Sequence, residues 1–202
     1  MELAGKRVLE SGPASGGLTF YMERCGAEVV STEAPDSYRM EYRWDIPSCV
    51  PPDFEKRVAE SKAGLRALHN SDWLCHKEFS SRAKIYYRSA YEIPGAFGTF
   101  DIATIGCVLL HNKSPHLILE GAARVTRRSI IVIEILPPNA DQEGMLFLRK
   151  DTSFYDGWFH WPPKLTVKVL KSMGFGDSKV TIHTEMMGGK PYQLYTVTAS
   201  RE

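Results

Sequence analysis

The chain has 202 residues, long enough to bury one sizeable core, and reads as a single domain over 1–202. Its 43% hydrophobic and 24% charged residues are those of a globular protein, and no apolar run is long enough to span a bilayer, so a membrane partner is not expected. The net charge of +1 supplies no general attraction to nucleic acid, and four cysteines without CxxC pairing suit a reduced compartment, read here as the cytoplasm.

Val8 and Leu9 read as the end of a short buried strand. Glu10 follows, then the loop Gly12-Pro13-Ala14-Ser15-Gly16-Gly17, then an amphipathic run through Leu18, Phe20, Tyr21 and Met22. Strand, glycine loop and helix in that order let backbone N–H groups approach a ligand closely. Gly26 stops the helix, and Glu28 to Glu33 reads as a second strand. It ends in a carboxylate about twenty residues after the glycine loop, where nucleotide-binding α/β units place the acid that holds the ribose hydroxyls. The spacing Gly12-x-Ala14-x-x-Gly17 also loosely fits a dinucleotide fingerprint. Glu10 would repel a pyrophosphate there, and Pro13 removes a donor. A glycine-rich turn without a ligand is the third reading.

Residues 34–83 are the least regular, and a long insertion of this kind is expected to cover the ligand or wall the substrate site. Tyr42 and Trp44 make either part of that cover or a hydrophobic plug. Phe54 to Leu68 has helical spacing, and 69–81 reads as a loop or short helix. Lys84 to Arg88 alternates as a third strand, followed by Ala90 and Tyr91. Phe100 to Gly106 is a fourth, followed by a turn and His111. Ser114 as N-cap and Pro115 at the first helical position start a helix that runs to about Arg124. Ser129 to Leu136 is a β-branched run of the kind buried on both faces of a parallel sheet. A loop over 139–161 carries Trp158, Phe159, His160 and Trp161, which could frame a flat acceptor or belong to the core. A helix over Pro163 to Met173 and an antiparallel pair, Phe175 to Thr184 and Tyr192 to Ala199, complete the chain.

The segment from Glu10 to Gly16 resembles motif I of the class I S-adenosylmethionine-dependent methyltransferases, with Ala14 in place of the usual middle glycine. The Gly98-Thr99-Phe100-Asp101 lead-in and the strand ending at Gly106 resemble motif IV of the same family. The aromatic loop, Pro162-Pro163, helix and Met173-Gly174-Phe175 are most similar to the branch that includes the transfer-RNA wobble-uridine methylating and carboxymethylating enzymes. Relatives in that branch carry a substantial segment ahead of motif I, whereas about six residues precede the strand here.

The resemblance implies an α/β three-layer sandwich, with a seven-stranded, mostly parallel sheet whose last strand is antiparallel. It implies S-adenosylmethionine as cofactor, with S-adenosylhomocysteine as product. Glu10, Gly12, Pro13, Ala14, Ser15 and Gly16 would hold the methionine part, with Ile105 and Gly106 lining it. Glu33 would hold the ribose, and Ala90 with Tyr91 the adenine. His111 is a candidate catalytic base or a strand-end cap, and His160 is a second candidate base. His69, Cys75 and His76 have no metal-ligand spacing, and no metal is expected. The expected reaction is methyl transfer to a small molecule. A transfer-RNA-modifying enzyme and an inactive cofactor-binding partner subunit are the alternatives.

Overall fold

In the computed structural model the structure describes residues 2–36, 53–138, 140–148, 157–187 and 189–201. Tyr42 and Trp44, in the expected cover, lie outside the described residues.

Strand β1 (Arg7–Ser11) lies inside the sheet, and for that reason Val8 and Leu9 are both fully buried. Seven strands form one sheet in the order β3-β2-β1-β4-β5-β9-β8. β2 (Glu28–Glu33), β3 (Lys84–Tyr87), β4 (Phe100–Gly106) and β5 (Thr126–Ile135) all run parallel to β1. β9 (Lys190–Ser200) runs antiparallel to β5, and β8 (Asp177–Met187) pairs antiparallel with β9 at the edge. The seven-stranded, mostly parallel sheet with an antiparallel final strand is therefore as expected.

Helices cover both faces. α1 (Gly17–Arg24) seals one with Met22, against Val8, Ala27, Val29 and Ile102. α3 (Pro115–Val125) and α4 (Pro163–Ser172) cover the other, with Ile118, Leu119 and Leu170 packed on Leu9, Ala103, Ile105, Val132 and Tyr195. Successive strand residues point to opposite faces, so Val8 goes to one core and Leu9 to the other. A two-stranded ribbon, β6 (Leu146–Phe147) with β7 (Phe159–His160), lies in the late loop.

Three local expectations change. Residues 69–78 are neither a loop nor a separate short helix. They continue α2, which runs unbroken from Phe54 to Glu78. Asn70, Ser71 and Asp72 are weak helix formers and hide this in the sequence. The last turns are held by tertiary contact, because the Phe20 ring of α1 meets His76 and Phe79 edge-on. Ser114 stands at the N-cap of α3 but makes no side-chain capping bond; Pro115 alone sets the start. β5 begins at Thr126, three residues earlier than the apolar run, because Thr126 pairs with Phe100 across a register shift.

Candidate functional site

The chain leaves β1 toward β2 on one side, while β4 pairs on its other side. The switch point of the sheet therefore lies between β1 and β4, and a crevice is expected at the carboxyl ends of the strands there. A cavity of about 290 Å³ opens there. Its walls come from Gly12 and Ala14 of the first loop, Thr32, Glu33 and Ala34 at the end of β2, Leu65 of α2, Arg88 and Ala90 after β3, and Gly106, Cys107, Val108, His111 and Asn112 after β4.

The first loop is held by its backbone. Gly12 N–H donates to Thr32 carbonyl at 3.0 Å, and Gly16 N–H closes a turn on Pro13 carbonyl at 2.8 Å. Gly12 sits at φ +76°, and a Cβ there would stand 2.6 Å from Val108 Cγ2 and 3.3 Å from Gly106 carbonyl. The loop after β1 can thus lie against the loop after β4 only as glycine. Ala14 takes φ +53°, a left-handed backbone that costs an alanine about 1 kcal/mol. Its N–H then points to β2 and donates to Glu33 Oε2 at 3.0 Å.

Glu33 is the acid of this cavity. Ala34 N–H donates to its other oxygen at 2.7 Å. Burial pushes its carboxyl above the usual range, while these two backbone donors and the nearby His69 act in the opposite direction.

Glu10 takes a different place from the one expected. Its side chain shares the face of Val8, toward α1, and is 3% exposed. Thr19 Oγ1 and Ser31 Oγ both donate to Glu10 Oε2. It does not line the cavity. Burial is the main reason its carboxyl rises to about 7, offset by the two hydroxyls and reinforced by Asp72 and Glu33. Asp72 of α2, itself buried, stands over Gly16, where a Cβ would collide with Asp72 Oδ1 and the Phe20 ring.

The other expected residues divide. Gly12, Ala14, Glu33, Ala90, Gly106 and His111 share the cavity wall. Pro13 and Gly16 are buried under the loop, and Ser15 faces outward. Tyr91 is turned into the core, where its hydroxyl accepts Ser114 N–H at 3.1 Å. Ile105 is fully buried in the core and does not line the cavity. Away from it, Trp158 and Trp161 are core residues at 1% and 3% exposure, and His160 packs in a cleft with Leu146, Pro137 and Pro162.

Sequence reasoning missed Leu65, Arg88, Val108, Asn112 and Glu134. Leu65 carried a signal, the apolar spacing of α2. Glu134 carried one too, a lone carboxylate inside a strand read as buried on both faces, but nothing in the sequence names its partner. It is 2% exposed, and Leu109 N–H donates to its Oε1 at 2.7 Å. The N–H groups of Val108 and Leu110 also bond to it, yet burial outweighs them and pushes the carboxyl up to about 8. Glu134 therefore anchors the turn that brings Val108, His111 and Asn112 to the cavity. Asn112 Nδ2 closes that turn on Val108 carbonyl at 2.6 Å.

A strand order with a central switch point, a glycine loop after the first strand and an acid after the second define the Rossmann-like methyltransferase fold. Solved structures with this fold superpose along almost the whole chain. Magnesium protoporphyrin IX methyltransferase (ChlM) from Synechocystis PCC 6803 with bound S-adenosylhomocysteine matches with a TM-score of 0.62 at 12% identity, over 99% of this chain and 76% of that one. The N-terminal domain of EvdMO1, also with S-adenosylhomocysteine bound, gives 0.55 at 17% identity over 97% and 75%. A SAM-dependent methyltransferase from Methanosarcina mazei gives 0.58 at 13% identity over 97% and 92%. No family model and no curated protein matches the chain.

Proposed function

We propose that this chain is an S-adenosylmethionine-dependent methyltransferase acting on a small-molecule acceptor. One observation carries the reading: Gly12 and Ala14 of the first loop, Glu33 of β2 and Gly106 of β4 all face one cavity, in the arrangement that a nucleoside joined to an amino acid requires. The residues fit such a ligand. Gly12 lines the cavity with bare backbone, and Glu33 presents acceptor oxygens for a pair of vicinal hydroxyls. Ala90 offers a small apolar wall for a flat base, and Leu65 brings α2 to the cavity wall.

The cofactor, when bound, supplies an electrophilic methyl group. This chain's residues would hold donor and acceptor in line and exclude water. His111, on the turn anchored by Glu134, would take a proton from the acceptor where one must leave. ChlM, by its name, methylates a small molecule, and EvdMO1 has been crystallised with D-fucose. A candidate RNA methyltransferase from Pyrococcus horikoshii shares the fold as well, so the preference for a small acceptor over transfer RNA rests on the net charge of +1, which supplies no general attraction to nucleic acid.

Calorimetric titration with S-adenosylmethionine and with S-adenosylhomocysteine tests the reading. Micromolar binding of either is expected. Folded protein that binds neither would overturn it.

A further inference from the structure

Strand β8 is one edge of the sheet, and among the described residues no strand pairs with its outer side. Partners across an antiparallel pair share a face. Ile182 is paired with Tyr195 and Val180 with Val197, so the even-numbered side chains of β8 lie on the side of α4, whose Thr166 meets the Tyr195 hydroxyl at 3.0 Å. That contact seats α4 over β9, short of the edge. Val180, Ile182 and Met186 are consequently 43%, 56% and 67% exposed, a row of apolar side chains along an open strand. An edge of this length and character is a template for another strand. The opposite face of β8 carries Lys179, Thr181, His183 and Glu185.

These residues are arranged symmetrically. Lys179 and Glu185 stand three positions either side of Ile182. We propose that β8 pairs antiparallel with β8 of a second copy of this chain, about a two-fold axis through Ile182, joining two sheets into one. In that register Ile182 faces its own copy, Val180 faces Thr184 and Ser178 faces Met186, which covers the apolar row. On the other face Thr181 stands opposite His183, and Lys179 opposite Glu185, twice by symmetry. Opposite charges directly across a pair are favourable, and like charges are not. Glu185 lies 3.8 Å from His183 of its own chain, and a lysine of the second copy would set an opposite charge directly across from it.

Alternative registers that keep the faces matched must slide by two residues. Sliding one way sets Asp177 opposite Glu185. Sliding the other way leaves Lys179 without an opposing carboxylate. Only the register centred on Ile182 pairs both charges and the apolar centre together. The helices do not prevent it. Two β9 strands three inter-strand steps apart are separated by about 14 Å, more than the roughly 8–10 Å at which helices pack.

Sedimentation equilibrium of the full chain tests the proposal. The wild type is expected to form a dimer. K179E and E185K are each expected to weaken association about tenfold, and the double exchange K179E/E185K to restore it. Circular dichroism confirms that each variant is folded. Disulfide trapping reads the register independently: I182C is expected to form a covalent dimer on mild oxidation, and V180C, which faces Thr184, to trap far less. A wild type that stays monomeric at millimolar concentration overturns the proposal. So does a dimer indifferent to both single charge changes, or one in which V180C traps as readily as I182C.

Discussion

The backbone N–H of Leu109 donates to the Glu134 carboxyl at 2.7 Å, across the end of the β4–β5 pair and wholly inside the protein. A strand-end acid thereby takes the place of water for a turn whose other side forms the wall of the cavity. Its carboxyl is raised to about 8, well above the value of an unfolded glutamate.

Between pH 4.5 and about 8 the unfolded chain has therefore lost the Glu134 proton while the folded chain still holds it. Stability falls as pH rises through that window and levels above it. E134Q, which stays neutral, is expected to flatten this slope in urea titrations at several pH values. E134A, which leaves three buried N–H groups without their acceptor, is expected to cost about 2–3 kcal/mol. A slope unchanged in E134Q would show that the carboxyl titrates elsewhere.

Two glutamates that read alike in sequence are expected to separate by experiment. E33A removes the cavity's acid and is expected to weaken S-adenosylhomocysteine binding about tenfold or more in calorimetry. Glu10 faces Thr19 and Ser31 instead of the cavity, so E10Q is expected to leave that affinity within about twofold. With a folded-state carboxyl at about 7, Glu10 lowers stability as pH rises from 4.5 to 7, and E10Q is expected to remove that loss. If E10Q weakened binding as much as E33A, the geometric distinction would fail.

G12A is expected to destabilise the chain by about 1–2 kcal/mol or more and to weaken ligand binding as well. The new methyl meets Val108 Cγ2 at 2.6 Å at a left-handed backbone position. G17A, whose Cβ meets nothing within 4 Å, is the control and is expected to be near neutral in thermal melts. Equal melting temperatures for the two would contradict the loop-on-loop contact.

Y195F tests the joint between α4 and the sheet. The Tyr195 hydroxyl donates to Trp161 carbonyl at 2.5 Å and meets Thr166 Oγ1 at 3.0 Å, all of it buried. Removing it leaves a carbonyl unsatisfied, and a loss of about 1–2 kcal/mol in chemical denaturation is expected. Because β9 carries this joint, the same variant reads whether α4 is needed to hold the β8–β9 edge.

The strands, the glycine loop, α1, α3, α4 and the acid after β2 were legible in the amino-acid order, because each rests on local rules. Two-faced burial shows as a continuous apolar run, a left-handed turn needs glycine, and a helix starts at proline. The seven-stranded, mostly parallel sheet with an antiparallel last strand followed from a family resemblance and not from periodicity, and the strand order came only from the structure. Three-dimensional packing settled what local rules leave open. Val8 and Leu9 are both apolar, so nothing in the pattern says which face Glu10 takes; it follows Val8 to α1 because α1 presents Thr19 there. The last turns of α2 hold against weak helix propensity because Phe20 packs on them. Glu134 anchors a turn 25 residues earlier in the chain, a partnership that exists only once β4 and β5 lie side by side. Side chains are assigned to a cavity, a core or a capped turn by neighbours distant in sequence, and those neighbours are chosen by the fold.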